Sequence, residues 1–356
     1  MDIERRAGLI ASAGEEIITI EELKGLLEAK QTPVAYDGFE PSGQMHIAQG
    51  IMRAINTNKM LKAGVHFKFW VADWFAWMNN KMGGDLERIK IVGEYQIEVW
   101  KACGMRVKEV DFLWASDVMG DGEYWKRTVN IARHNTVQRI VRCSQIMGRS
   151  EKDTLSAAQI FYPCMQASDV FHLGADITNL GMDQRKVNIL AREIGPKLGM
   201  WKPVMVSGHM LMGLKKPPEG AGAEERALAM KMSKSIPDSA IFMTDSKEEV
   251  SRKISKAYCP EKQAEENPMI EYMKYIIFES SKKVKIERPA KFGGDVTYGN
   301  FGELAADFTA GNLHPADLKA AVAASLNSLL EPVRKHFSKG KPKKLAEFVR
   351  SHETTR

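Results

Sequence analysis

Two short segments of this 356-residue chain carry groups suited to handling phosphate. The first is Gly38-Phe39-Glu40-Pro41-Ser42-Gly43-Gln44-Met45-His46-Ile47-Ala48-Gln49-Gly50. Gly38 and Gly43 let backbone approach a ligand closely, and Ser42 offers a hydroxyl. His46 stands in the first turn of the helix expected to follow, where the helix N-terminus favours anions. The second segment is Lys231-Met232-Ser233-Lys234-Ser235, which follows a loop-like stretch containing Pro217, Pro218, Gly220 and Gly222. Lys231 and Lys234 would neutralise charge on a departing pyrophosphate, and a loop that closes and reopens suits that task. Each segment also has an ordinary reading: a strand-to-helix turn with a surface histidine, and a chance string in a lysine-rich protein.

A third group is Tyr162, Gln166 and Asp169, spaced i, i+4, i+7 and so on one helix face. Pro163 suits the first turn of that helix. The neighbours Ile160, Phe161, Met165, Val170 and Phe171 are apolar, and buried polar groups need partners. A phenol, an amide and a carboxylate in such surroundings fit a small polar ligand. An amphipathic helix exposing them is the alternative. A fourth group, Gly181-Met182-Asp183-Gln184-Arg185-Lys186, stands between a strand and a helix.

The elements that must position these groups alternate. Residues 1–32 read as one helix or two and a turn. Val34–Phe39 reads as a buried strand, followed by a turn and a helix from about 46 to 63. Further strands are expected over 65–72, 107–114, 176–180 and 204–206, with helices over 86–103 and 181–193. Such alternation argues for an α/β fold with a doubly wound parallel sheet. In that architecture the crevice after the first strand is where ligands bind. Beyond about residue 238 helical periodicity dominates. The expected division is an N-terminal helical extension over 1–32, a catalytic domain over 33–237 and a helical domain over 238–356.

Composition narrows the classes. Charged side chains make up 27% and hydrophobic ones 44%, an ordinary balance for a globular protein. No run approaches the ~18 apolar residues of a membrane span, and no secretory leader is visible. The four cysteines, Cys103, Cys143, Cys164 and Cys259, form no C-x-x-C pair, which disfavours zinc and disulfide frameworks and suits a reducing compartment. Net charge is +6, compatible with a polyanionic partner. Part of it is concentrated between Arg334 and Lys344, which reads as a solvated tail.

Taken together, the motifs carry a resemblance. P-S-G-x-x-H-I after the first strand and K-M-S-K-S after the last resemble the two signatures of class I aminoacyl-tRNA synthetases. His46 and Ile47 match the first signature, H-I-G-H. Ala48 and Gln49 replace its glycine and second histidine. Y-P-x-M-Q-x-x-D at Tyr162 and G-x-D-Q-R-K at Gly181 are similar to tyrosyl-tRNA synthetases of the archaeal and eukaryotic type. The runs A-Y-D-G-F-E-P-S-G, N-N-K-M-G-G-D and Q-I-M-G-R-S resemble the plant and protist branch.

That resemblance implies a Rossmann-like catalytic domain, an α-helical anticodon-binding domain and a cytoplasmic homodimer. It implies activation of tyrosine with ATP and Mg²⁺, followed by transfer to the 3′ end of tRNA(Tyr). By its motifs, Tyr36 and Asp169 would bond the substrate phenol, and Tyr162, Gln166 and Gln184 the α-amino group. Gly38, Ser42, His46, Gly181 and Asp183 would contact ATP, with Lys231 and Lys234 at the phosphates. Arg185 and Arg142 would meet the acceptor stem, and Phe292, His314 and Asp317 the first anticodon base. Residues around Phe112, Leu113 and Trp114 would serve the dimer, with core strand as an equal alternative for them. No resident protein-bound metal is expected. A tryptophanyl-tRNA synthetase, a non-catalytic RNA-binding paralogue and another adenylate-forming ligase remain as rivals. The pair Tyr36 and Asp169 is what a phenol needs and an indole does not.

Overall fold

The structure, a computed structural model, describes residues 1–147, 154–218, 226, 230–232 and 236–352. The chain begins with α1 (Ile3–Ala11), a short strand β1 (Glu16–Ile18) and α2 (Ile20–Ala29). The sequence pattern anticipates the helices and misses the strand. Three residues between helices give too short a stretch for an alternation to register. Their partner decides the conformation: β1 pairs antiparallel with β6 (Val204–Ser207), Glu16 opposite Ser207.

The remaining strands are β2 (Val34–Phe39), β3 (His66–Val71), β4 (Val110–Trp114) and β5 (Ile177–Thr178). The sheet order is β1-β6-β5-β2-β3-β4, parallel except at β1. The direction in which the chain adds strands therefore reverses at β2, which lies between β5 and β3. The carboxyl ends of β2 and β5 form the topological switch point, where open α/β sheets bind ligands.

Period-two alternation puts the two faces of the sheet into two cores. Ala35, Phe67 and Phe69 belong to one buried cluster, and Tyr36 and Trp70 to the other. The first cluster continues through the helical region to Val349. The second lies under the ligand crevice and includes Phe75, Tyr124 and Tyr162.

Helices α3 (Arg53–Lys62), α4 (Asp73–Met78), α5 (Leu86–Ala102), α6 (Gly122–Arg133), α7 (Val137–Cys143), α8 (Ala157–His172) and α9 (Arg185–Lys197) cover the sheet. A π-helical turn, Ala48–Met52, precedes α3. Pro163 lies inside α8 rather than in its first turn. Ser156 caps the helix earlier, in a capping box with Gln159, and so starts it at Ala157. The face formed by Tyr162, Gln166 and Asp169 is unaffected.

Past residue 238 the expected helices appear at Lys247–Lys256, Pro268–Tyr272, Phe301–Ala310 and Pro315–His336. A two-stranded ribbon, β7 (Val284–Ile286) and β8 (Val296–Tyr298), interrupts them. The basic segment is not a loose tail. Arg334 bonds the Asp245 carbonyl at 2.8 Å, and the helix Gly340–Ser351 buries Leu345, Ala346 and Val349. Among the described residues no helix is long and apolar enough to cross a membrane.

Candidate active site

A crevice of about 360 Å³ opens at the switch point. Four chain segments bring the anticipated side chains into its wall. Tyr36, Gly38, Ser42 and His46 come from β2 and the following turn. Tyr162, Gln166 and Asp169 come from α8. Gly181, Asp183 and Gln184 precede α9, and Lys231 follows the last strand.

The rim is braced by a pair that the motifs do not announce. Asp37 is buried in β2, and burial pushes its carboxyl up to about 7 even with the Arg53 guanidinium beside it. Arg53 Nε lies 2.9 Å from Asp37 Oδ2, and its Nη1 donates to the Asn179 carbonyl at 3.1 Å. Arg53 thereby joins the ends of β2 and β5. The turn that carries His46 is held from outside the sheet. Ile47 N–H donates to Ile241 O and Met243 N–H to Met45 O, each at 2.9 Å. Gly50 lets Met243 pack directly on this turn: a Cβ there would stand 2.4 Å from Met243 Sδ, so the methionine would have to move.

One end of the crevice is polar at its buried floor. Asp169 is 1% exposed and accepts the Tyr124 hydroxyl at 2.8 Å. Burial holds its carboxyl well above the usual carboxylate range, although the Tyr124 hydrogen bond opposes this. The Tyr36 hydroxyl is also buried, and has no hydrogen-bond partner among the described residues. Burial first, and then the neighbouring Asp169 charge, push it well above the ordinary phenol value. An orphaned buried hydroxyl beside a carboxyl is a costly arrangement unless a ligand supplies the missing partner.

Nearer the mouth, Tyr162 donates to Glu40 Oε1 at 2.6 Å, and Asn79 donates to the same oxygen at 2.8 Å. Gln166 Nε2 bonds Gln184 Oε1 at 3.0 Å, and Gln184 Nε2 bonds the Ile146 carbonyl at 3.1 Å. Two amides and a carboxylate thus converge where an ammonium group would find acceptors. At the other end Lys231 Nζ stands 3.7 Å from Asp183 Oδ2. At Gly181 a Cβ would lie 2.7 Å from Asp183 Oδ1 and 2.9 Å from Met210 Sδ, so any side chain there would displace Asp183 and Met210.

Other candidates lie elsewhere. Arg185 points away from the crevice and grips Glu16 with two bonds, Nε–Oε2 at 2.8 Å and Nη2–Oε1 at 3.0 Å. Arg142 is exposed on α7. His314 caps the helix Pro315–His336 through Ala316 N–H at 3.1 Å, with Asp317 in the first turn. Lys234 and the side chain of Phe292 lie outside the described residues. Phe112, expected at an interface, stacks on Phe69 and Trp100 at 5.6 and 5.9 Å.

Sequence reasoning missed Tyr124, Glu40, the Asp37–Arg53 pair and His209. Tyr124 lies in α6, a charged helix with no motif. Glu40 is inside the first motif, where a lone carboxylate among phosphate-binding groups was the available signal. His209 follows the end of β6, and its place at a strand's carboxyl end was the only clue.

The same overall fold occurs in known proteins. A family model for class I tRNA synthetases (W and Y) matches residues 28–331. The chain is 51% identical over 359 residues to the cytoplasmic tyrosine–tRNA ligase 1 of Arabidopsis thaliana, covering all of this chain and 90% of that one. It superposes on the Pyrococcus horikoshii tyrosyl-tRNA synthetase complexed with L-tyrosine, with a TM-score of 0.92 and 40% identity. That match covers 99% of this chain and 100% of the other. The Leishmania major tyrosyl-tRNA synthetase in complex with tyrosinol gives a TM-score of 0.89 and 44% identity, over 99% of this chain and 66% of that one.

Proposed function

Because the chain belongs to the class I tRNA synthetases for tryptophan and tyrosine, we propose that this crevice activates tyrosine with ATP and passes it to tRNA(Tyr). The protein is a tyrosine–tRNA ligase in this reading. The observation that carries the choice of amino acid is the Tyr36 hydroxyl, buried without a partner beside the Asp169 carboxyl. A substrate phenol completes that floor. An indole N–H can only donate, so it would leave the Tyr36 hydroxyl without an acceptor. Phenylalanine would leave that hydroxyl unpaired too, and rejection on that ground is already an established property of tyrosyl-tRNA synthetases as a family.

The roles follow from position. Tyr36 and Asp169 take the phenol, while Tyr162, Gln166 and Gln184, helped by Glu40, take the α-ammonium. This leaves the tyrosine carboxylate directed at the ATP half, where it attacks the α-phosphorus. The bond to the β-phosphate oxygen breaks, and pyrophosphate leaves. Gly38, Ser42, His46, Gly181 and Asp183 would hold the nucleotide, with Lys231 and Lys234 drawing off the developing charge. The 3′-terminal ribose hydroxyl of tRNA then attacks the tyrosyl carbonyl, and AMP leaves. No protein nucleophile is required; orientation and fixed charge supply the acceleration.

Mg²⁺ would arrive on the triphosphate. Among the described residues no three His, Cys, Asp or Glu side chains gather to hold it. Arg185, Arg142, Phe292, His314 and Asp317 are proposed as tRNA contacts, with the helical region after 238 as the anticodon-binding domain and 33–237 as the catalytic one. Cytoplasmic location is inferred from the relatives' names. A homodimer is supported by apolar residues left exposed on α8 and on helices that each pack against it: Phe161 on α8, Trp77 on α4, Val129 on α6 and Val137 on α7.

Exchange of labelled pyrophosphate into ATP, with each amino acid in turn, tests the reading. Tyrosine alone should support exchange. A signal with tryptophan instead, or with none, would overturn it.

A further inference from the structure

One ionisable side chain in the crevice wall has no part in the two steps above. His209 follows β6 and lines the crevice together with Lys231. Both of its ring nitrogens face carboxylates: Nδ1 is 2.8 Å from Glu15 Oε2, and Nε2 is 3.0 Å from Glu271 Oε2. A ring that meets an acceptor on each nitrogen donates from both, as only the imidazolium can. The ring lies flat on Tyr275, with centroids 4.0 Å apart. Burial works against its charge, but the bonds to Glu271 and Glu15 outweigh it and hold its pKa above the ordinary 6.5.

The partners of His209 reach the signature lysine. Glu271 Oε2 also accepts the Met212 N–H at 2.8 Å. The next residue, Tyr272, donates its hydroxyl to the Met212 carbonyl at 2.8 Å. Both polar groups of one backbone position are therefore fixed by the helix Pro268–Tyr272. Met212 in turn pairs with Lys231 in an antiparallel bridge, and Gly213 N–H bonds the Met230 carbonyl at 2.6 Å. The backbone of Lys231 is thus registered on Met212, Met212 on Glu271, and Glu271 on His209.

We propose that His209, clamped between Glu15 and Glu271, is a positioning residue that sets Lys231 over the phosphate end of the crevice. Glu15 belongs to the segment before β1, so the N-terminal extension gains a role: it holds the outer side of the clamp. The helical region holds the inner side through Glu271, Tyr272 and Tyr275. Removing the imidazolium leaves Glu271, only 19% exposed, with a carboxylate short of its charged partner. Its hold on Met212 loosens, and Lys231 loses its register.

This rests on the assignment of Lys231 to ATP. The test is tyrosine-dependent pyrophosphate exchange with the full chain and with His209→Gln, Glu271→Gln, Glu15→Gln and the His209→Gln/Glu271→Gln double variant. The expected result for His209→Gln is a KM for ATP raised about tenfold, with KM for tyrosine within about twofold. Glu271→Gln should match it, Glu15→Gln should move the same way by less, and the double variant should be no worse than the singles, because the residues act as one unit. An unchanged KM for ATP overturns the proposal. So does a parallel rise in both KM values with a lowered melting temperature, or fully multiplicative effects in the double variant. Should His209→Gln fail to fold, the Glu271→Gln and Glu15→Gln variants carry the same split. A wild-type chain with no tyrosine-dependent exchange would sink the functional reading itself, which separates the two failures.

Discussion

Tyr124 donates its hydroxyl to Asp169 at 2.8 Å, and neither side chain is more than 1% exposed. Asp169 lines the crevice and Tyr124 does not, so the bond orients the carboxyl from α6. Tyr124→Phe removes the bond and leaves Asp169 in place. A hydrogen bond to an ionisable group contributes about 1.5 kcal/mol, so KM for tyrosine should rise about tenfold while KM for ATP holds. Steady-state exchange with each substrate varied separately checks it.

Asp169 should also show function purchased with stability. Its raised pKa means the folded chain keeps a proton that the unfolded chain gives up above the ordinary value of 3.8. Wild-type stability therefore falls as pH climbs from 3.8 toward the raised folded value, and then levels off. Asp169→Asn lacks this loss and keeps an acceptor for Tyr124. It should be more stable than wild type at neutral pH, with the gap closing on acidification. Its exchange activity should drop about a hundredfold. Urea titrations across pH, beside an exchange assay, would show both.

Lys231→Ala should lower kcat for exchange about a hundredfold and spare KM for tyrosine, because the lysine meets charge that grows only as pyrophosphate departs. A matching change in tyrosine KM would place Lys231 in amino acid binding instead.

Asp317 lies far along the chain from the crevice, at the start of the helix capped by His314. If it accepts from an anticodon base edge, Asp317→Ala should raise KM for tRNA about tenfold and leave exchange untouched. Aminoacylation and exchange measured on one preparation compare the two.

Val137 is 66% exposed, the most open of the large apolar side chains among the described residues. A charge at the centre of an apolar interface between copies is expensive. Val137→Asp should convert a sedimenting dimer to monomer at micromolar concentration. An unaltered sedimentation coefficient would move the interface elsewhere.

The site was legible in the sequence wherever chemistry and spacing coincide within one segment. Tyr162, Gln166 and Asp169 share a face because a helix repeats every 3.6 residues, and that holds wherever the helix begins. Hence misplacing its start, with Pro163 in the first turn, did no harm to the site. Gly38, His46 and Gly181 were legible for a similar reason: strand-to-helix junctions at a sheet's edge are local features. The strand β1 was not legible, since only pairing with β6 makes three residues extended. Tyr124 was invisible because its role exists only where α6 packs on α8.

By itself, then, the sequence determined the parallel strands β2 to β6, the phosphate-suited motifs between strand and helix and the polar helix face, all set by local geometry and short-range periodicity. Only the tertiary structure decided what lies beside what. It put Asp37 against Arg53, Tyr124 behind Asp169, and His209 between Glu15 and Glu271. The last of these joins residues 194 and 62 positions apart. Burial and charge at such sites depend on neighbours that no local pattern encodes. The two motifs thus mark one stretch of the crevice wall, and the fold determines which side chains stand beside and behind them.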